Sequence, residues 1–105
     1  MTGVVLIETN LPDRASAERV AEAMVESGLA AAANIHGPVA SLYRWDGAVR
    51  RAEEWTLVLK GPEATAERAV DAIRAAHPYA TPCVLVRAVA GGFEPYLAWA
   101  RRGGA

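Results

Sequence analysis

Two histidines, one cysteine and a set of carboxylates are the groups in this chain with chemistry to offer. His77 stands before Pro78, and Cys83 follows six residues later, across Pro78-Tyr79-Ala80-Thr81-Pro82. An imidazole and a thiolate placed in this way present two donors to a soft ion such as Cu(I). A structural reading stands beside each. A histidine at a helix end bonds the last free carbonyls and gains from the helix dipole, and an isolated cysteine behaves as a small core hydrophobe. Glu54 lies near Arg50 and Arg51, where a carboxylate ordinarily serves as a cross-strand ion-pair partner. Lys60, the sole lysine, ends the same stretch. If Glu54 and Lys60 face a cleft between subunits, they are the polar groups that would orient a ligand. Ser41 falls inside a strand-like run, which suits a structural hydroxyl. His36, before Gly37-Pro38, reads as a loop residue. Gly91-Gly92 lacks the strand–loop–helix context and the lysine of a phosphate cradle. No nucleophile with an activating base can be named, so catalysis is not expected.

The elements that would hold these groups can be read from periodicity. Val4-Val5-Leu6-Ile7 is a continuous aliphatic run, as in a strand at the centre of a sheet. Asp13 is placed to cap a helix whose apolar face is Ala17, Val20, Ala21, Met24 and Val25, with Gly28 as its stop. Leu29 to Ile35 opens a second strand. Gly37-Pro38 marks a bend or bulge in it, and Ser41 to Trp45 continues it. Asp46-Gly47 is a tight hairpin turn, and Val49 to Lys60 returns with Trp55, Leu57 and Leu59 on one face. Ala66, Ala69, Val70 and Ile73 mark a second helix, which ends at His77-Pro78 because proline disfavours a helical predecessor. Cys83 to Val89 is the last strand. Phe93 to Arg101 is a short final helix with Pro95 in its first turn.

This order is β-α-β-β-α-β plus one helix. It predicts an α+β, ferredoxin-like sandwich with a long β-hairpin and an extra C-terminal helix, as a single domain over residues 1–105. The second hairpin arm, about twelve residues, exceeds the ~5–6 typical of strands. Tyr43, Trp45 and Trp55 sit on this hairpin. Each aromatic side chain carries ~150–250 Å² that favours burial, so the hairpin predicts self-association.

Composition narrows the classes. The chain has 105 residues, 52% hydrophobic and 22% charged, which suits one globular core and not disorder. Eleven basic residues against twelve acidic leave a net charge of −1, with no basic excess to collect nucleic-acid phosphates. One cysteine excludes an internal disulfide framework. No apolar run approaches the ~20 residues of a membrane span, and the first ten residues lack the basic region of a signal peptide. The expected location is the cytoplasm.

Five segments resemble the CutA family of divalent-cation tolerance proteins. They are Leu29–Ile35; Ser41-Leu42-Tyr43-Arg44-Trp45-Asp46-Gly47, similar to the S-x-Y-x-W-x-G hairpin; Glu54 with Lys60; His77-Pro78-Tyr79-Ala80-Thr81-Pro82, similar to H-P-Y-x-x-P; and Tyr96-Leu97-Ala98-Trp99, similar to Y-L-x-W. The resemblance covers almost the whole chain in order. It implies a ferredoxin-like fold and a homotrimer assembled through the long hairpin, with an architecture related to PII signalling proteins. It also implies a role in metal tolerance, with binding of copper or other divalent ions and no organic cofactor. His77 and Cys83 would be the metal ligands. Two positions depart from the family: Ala32 stands where a cysteine is frequent, and Cys83 where a glutamate is frequent. A thiolate in place of a carboxylate shifts preference toward Cu(I). The alternative is a PII-like trimeric module that binds a small effector in an intersubunit cleft lined by Tyr43, Trp45, Glu54, Lys60 and Tyr79.

Overall fold

A computed structural model describes residues 1–105. The N-terminal apolar run forms β1 (Val4–Leu11). Val5, Ile7, Thr9 and Leu11 point to one side and are buried, while Leu6, Glu8 and Asn10 alternate to the other. Helix α1 (Arg14–Glu26) follows at once. The Asp13 carboxylate accepts the Ser16 backbone N–H at 2.7 Å and so satisfies a donor that the first turn cannot. Ala17, Val20, Ala21 and Met24 are buried as the periodicity predicts. Val25 is not: at 40% exposure it lies past the edge of the stripe.

Strands β2 (Ala32–Trp45) and β3 (Ala48–Pro62) form the long hairpin. Asp46 and Gly47 have φ of +51° and +74°, the left-handed pair that a two-residue turn demands. The bulge at Gly37-Pro38 is present: His36 pairs with Thr56, but the next pair is Val39 with Glu54. A short 3-10 turn (Glu63–Thr65) leads into α2 (Ala66–Ala76), then β4 (Val84–Ala88) and α3 (Glu94–Arg101).

The four strands form one antiparallel sheet in the order β2-β3-β1-β4. This is the ferredoxin-like arrangement. The main core lies between the sheet and the pair α1 and α2, where Ile7, Leu11, Leu57 and Leu59 meet Val20, Met24 and Ile73. Trp55, Leu57 and Leu59 share that face. A smaller cluster of Val4, Ala31, Leu97 and Ala100 seats α3 at one end of the sheet. Beyond the bulge the hairpin leaves the sheet, and the molecule measures 44 × 25 × 22 Å. Leu42, Trp45 and Val49 on that arm are 60%, 53% and 67% exposed.

Candidate functional site

The projecting half of the hairpin and the loop after α2 enclose an open cleft of about 1100 Å³. Tyr43, Trp45, Arg50, Glu54, Tyr79 and Cys83 are among its walls. Register explains the hairpin wall. Glu54 pairs with Val39, Ala52 with Ser41 and Arg50 with Tyr43. Directly opposed residues of an antiparallel pair share a face, so Glu54, Arg50, Ser41 and Tyr43 all look the same way.

Glu54 is 7% exposed. The chain's ion pairs are Arg14–Glu18, Arg74–Asp71, Arg87–Glu8 and Arg101–Glu94, and none involves Glu54, Arg44 or Arg50. The expected pairing of Glu54 with Arg50 or Arg51 is therefore absent. Arg50 lies four residues away along the strand and donates from Nε to the Trp45 carbonyl at 3.4 Å; Arg51 points to the opposite face. The Tyr79 hydroxyl instead donates to Glu54 Oε2 at 2.8 Å. Desolvation, then that hydrogen bond, then the negative charge of Glu54 push the Tyr79 phenol up to about 12.

His77 positions this pair. It is 8% exposed. Its Nδ1 accepts the Tyr79 backbone N–H at 3.1 Å, which requires a lone pair there. The proton then resides on Nε2, which donates to the Asn10 carbonyl at 2.7 Å. The imidazole thus ties the loop to the end of β1. The helix-end expectation needs correcting: His77 does terminate α2, but its bond reaches another strand and not the last helical carbonyls. Both ring nitrogens are occupied, and His77 is not among the cleft-lining residues.

Cys83 is exposed in the cleft wall, contrary to the reading of it as a core hydrophobe. Lys60 lies outside the cleft. It is six residues from Glu54, roughly 20 Å along the strand, with its Nζ 6.0 Å from the Tyr96 ring. Of the residues singled out by sequence, Tyr43, Trp45, Glu54, Tyr79 and Cys83 converge, while His77 stands behind them and Lys60 apart. Arg44, Arg50 and Ser41 also line the cleft. Arg50 could have been found from the hairpin turn alone, by counting pairs back from Asp46-Gly47.

No group of three or more His, Cys, Asp or Glu side chains converges in the chain. The two expected ligands do not form a metal centre within one protomer: each ring nitrogen of His77 already holds a hydrogen bond, so ligation would break at least one of them, and no third donor converges with the pair. No helix is long and apolar enough to cross a membrane.

Comparison with known proteins gives a consistent result. The family described as CutA1 divalent ion tolerance protein matches residues 5–103. The divalent-cation tolerance protein CutA of Thermus thermophilus is 36% identical over 101 residues, covering 96% of each chain. That of Pectobacterium atrosepticum is 34% identical over 95 residues, covering 90% of this chain and 86% of its own. The crystal structure of CutA from Xylella fastidiosa superimposes with a TM-score of 0.93 at 30% identity, covering 98% of this chain and 99% of that one.

Proposed function

The chain belongs to the CutA1 divalent ion tolerance protein family, and from that premise we propose that it acts in the response to divalent metal ions as a homotrimer clasped through its long hairpins. The observation that carries the assembly is the arm itself. Leu42, Tyr43, Trp45 and Val49 are all exposed on a two-stranded ribbon that no other element of the same chain covers. Apolar surface of this extent favours a protein partner, and a second copy is always at hand. We assign the molecule no catalytic step, since Glu54, Tyr79 and His77 are engaged in hydrogen bonds with one another and with the backbone. Its compartment is the cytoplasm on this reading, and an exposed lone thiol suits those reducing conditions.

Copper, taken as the ion sensed, falls to Cys83. The thiol is soft, exposed and free of partners, whereas His77 is committed elsewhere. Further donors would come from neighbouring copies. Sedimentation velocity at micromolar protein should give three times the 11.1 kDa chain mass. Anaerobic calorimetry should show Cu(I) heat that Cys83→Ala abolishes and His77→Ala retains. A lone protomer would sink the assembly, and heat unaffected by Cys83→Ala would sink the copper assignment.

The volume of the cleft favours a second reading, a PII-like module that binds a small effector there and passes a change of shape to a partner. A thermal-shift screen with nucleotides and metabolites separates the two readings: only this one expects stabilisation by an organic ligand.

A further inference from the structure

The sheet ends in two free edges, one on β2 and one on β4. A free edge shows unpaired backbone N–H and C=O groups and is a template for another strand. The hydrogen-bond phase fixes which residues show them. Val89 N–H donates to the Val4 carbonyl at 3.0 Å, and Glu63 N–H to the Gly3 carbonyl at 2.9 Å. Bonded pairs alternate along an antiparallel ladder. Leu6 and Glu8 therefore bond Arg87 and Leu85, while Val5 and Ile7 bond across to β3. On β4 the backbone groups left facing outward belong to Val84, Val86 and Ala88. Carried across β3, the same alternation bonds Val39 to Glu54 and every second pair from there to Trp45 with Ala48. A two-residue turn at Asp46-Gly47 requires that same phase. Beyond the bulge, the outward groups of β2 belong to Ala40, Leu42 and Arg44. The two edges thus present matching sets, three residues each at alternate positions.

We infer that the β4 edge receives the arm of a second copy, antiparallel, with Ala40 opposite Ala88, Leu42 opposite Val86 and Arg44 opposite Val84. Trp45 of one copy then lies beside Cys83 of the next, so the neighbour completes the cleft wall that holds the thiol. This rests on the homotrimer reading and names the surface that clasps the arm. Side chains select the register. In it the exposed Leu42 and Tyr43 meet the exposed Val86 and Leu85. A slip of two residues loses one of the three bonded pairs. It also sets Leu42 against Ala88 or Val84, and Tyr43 against Arg87 or Cys83. Strand directions agree as well. They alternate through the four strands, so a copy added with the same face forward presents β2 antiparallel to β4. The two edges differ, so the contact is head-to-tail, the kind that generates a ring when its rotation closes.

Residues opposed outside the bonded pairs bring their Cα atoms to about 4.5 Å, within reach of a disulfide. The test oxidises Trp45→Cys, with Cys83 kept, using diamide, and reads a non-reducing denaturing gel. The chains should move to two and three times 11.1 kDa. Val49→Cys, exposed on the other strand of the arm, should stay at the single-chain mass. Ala88→Pro removes only an outward N–H, so it should sediment as single chains with its far-ultraviolet dichroism retained. Cross-linking of Trp45→Cys no better than that of Val49→Cys, or Ala88→Pro that sediments as the wild type does, overturns the pairing. If the wild type is nonetheless a trimer, the homotrimer reading stands. If the wild type is a lone protomer, both fail.

Discussion

Tyr79 carries the most information at the scale of single residues. Its hydroxyl is held on a buried carboxylate, and its backbone N–H is held by a histidine locked in one tautomer. The phenol, raised from 10.0 to about 12, keeps its proton in the folded state when the unfolded chain has begun to lose it. Between about pH 10 and 12 the unfolded state binds fewer protons, so stability falls with rising pH there. The contribution is complete below pH 10 and gone above 12. Spectrophotometric titration should resolve one tyrosine ionising late, absent in Tyr79→Phe. In Glu54→Gln the late ionisation should move down toward 10 without reaching it, because desolvation remains after the charge is removed. A late ionisation that persists unshifted in Glu54→Gln would show that Glu54 is not its cause. Asp13 shows the opposite shift: the Ser16 backbone N–H and then the Ser16 hydroxyl hold its carboxyl below the ordinary value. That contribution is present at neutral pH and lost as acid protonates the cap.

Among the elements, the bulge in β2 decides which side chains form the cleft. Without it, the pairing of His36 with Thr56 would continue as Pro38 with Glu54, Ala40 with Ala52 and Leu42 with Arg50. The observed shift substitutes Val39, Ser41 and Tyr43. Side chains alternate with period two, so one inserted residue turns the outer half of the strand over. Tyr43 faces the cleft with Glu54 for this reason. Trp55 sits opposite the insertion, and a Cβ at Gly37 would stand 2.6 Å from its ring. Gly37→Ala should therefore displace Trp55 and cost about 1–3 kcal/mol. The check is a lower urea midpoint at unchanged slope; an unchanged midpoint would mean that the ring moves aside freely.

As a whole, the molecule is a small two-layer sandwich with an arm that its own layers do not cover. Replacing two exposed apolar residues on that arm, Leu42→Glu with Trp45→Arg, removes surface that only an assembly would bury. The double variant should sediment at the single-chain mass of 11.1 kDa at micromolar concentration, with far-ultraviolet dichroism retained because neither side chain belongs to the core. A variant that still sediments as the wild type does would place the contact elsewhere, the free edge of β4 or the sheet face opposite α1 and α2 being the next surfaces to alter.

The order of elements, the sheet, the hairpin turn and a break in β2 at Gly37-Pro38 could all be read along the chain. These follow from local causes: apolar periodicity, the Asp13 cap, the backbone freedom of Asp46-Gly47, and the prolines after Gly37 and His77. The motifs around Ser41–Gly47 and His77–Pro82 also sufficed to name the family. What the singled-out residues touch depends on packing between distant segments. That packing separated Lys60 from Glu54, left Cys83 in the open, and occupied both nitrogens of His77. Hydrogen-bond partners such as Asn10 with His77 and Glu54 with Tyr79 lie 67 and 25 residues apart in the chain. Local spacing carries no signal of such pairs, because they meet only once the sheet has brought β1, β3 and the end of α2 together.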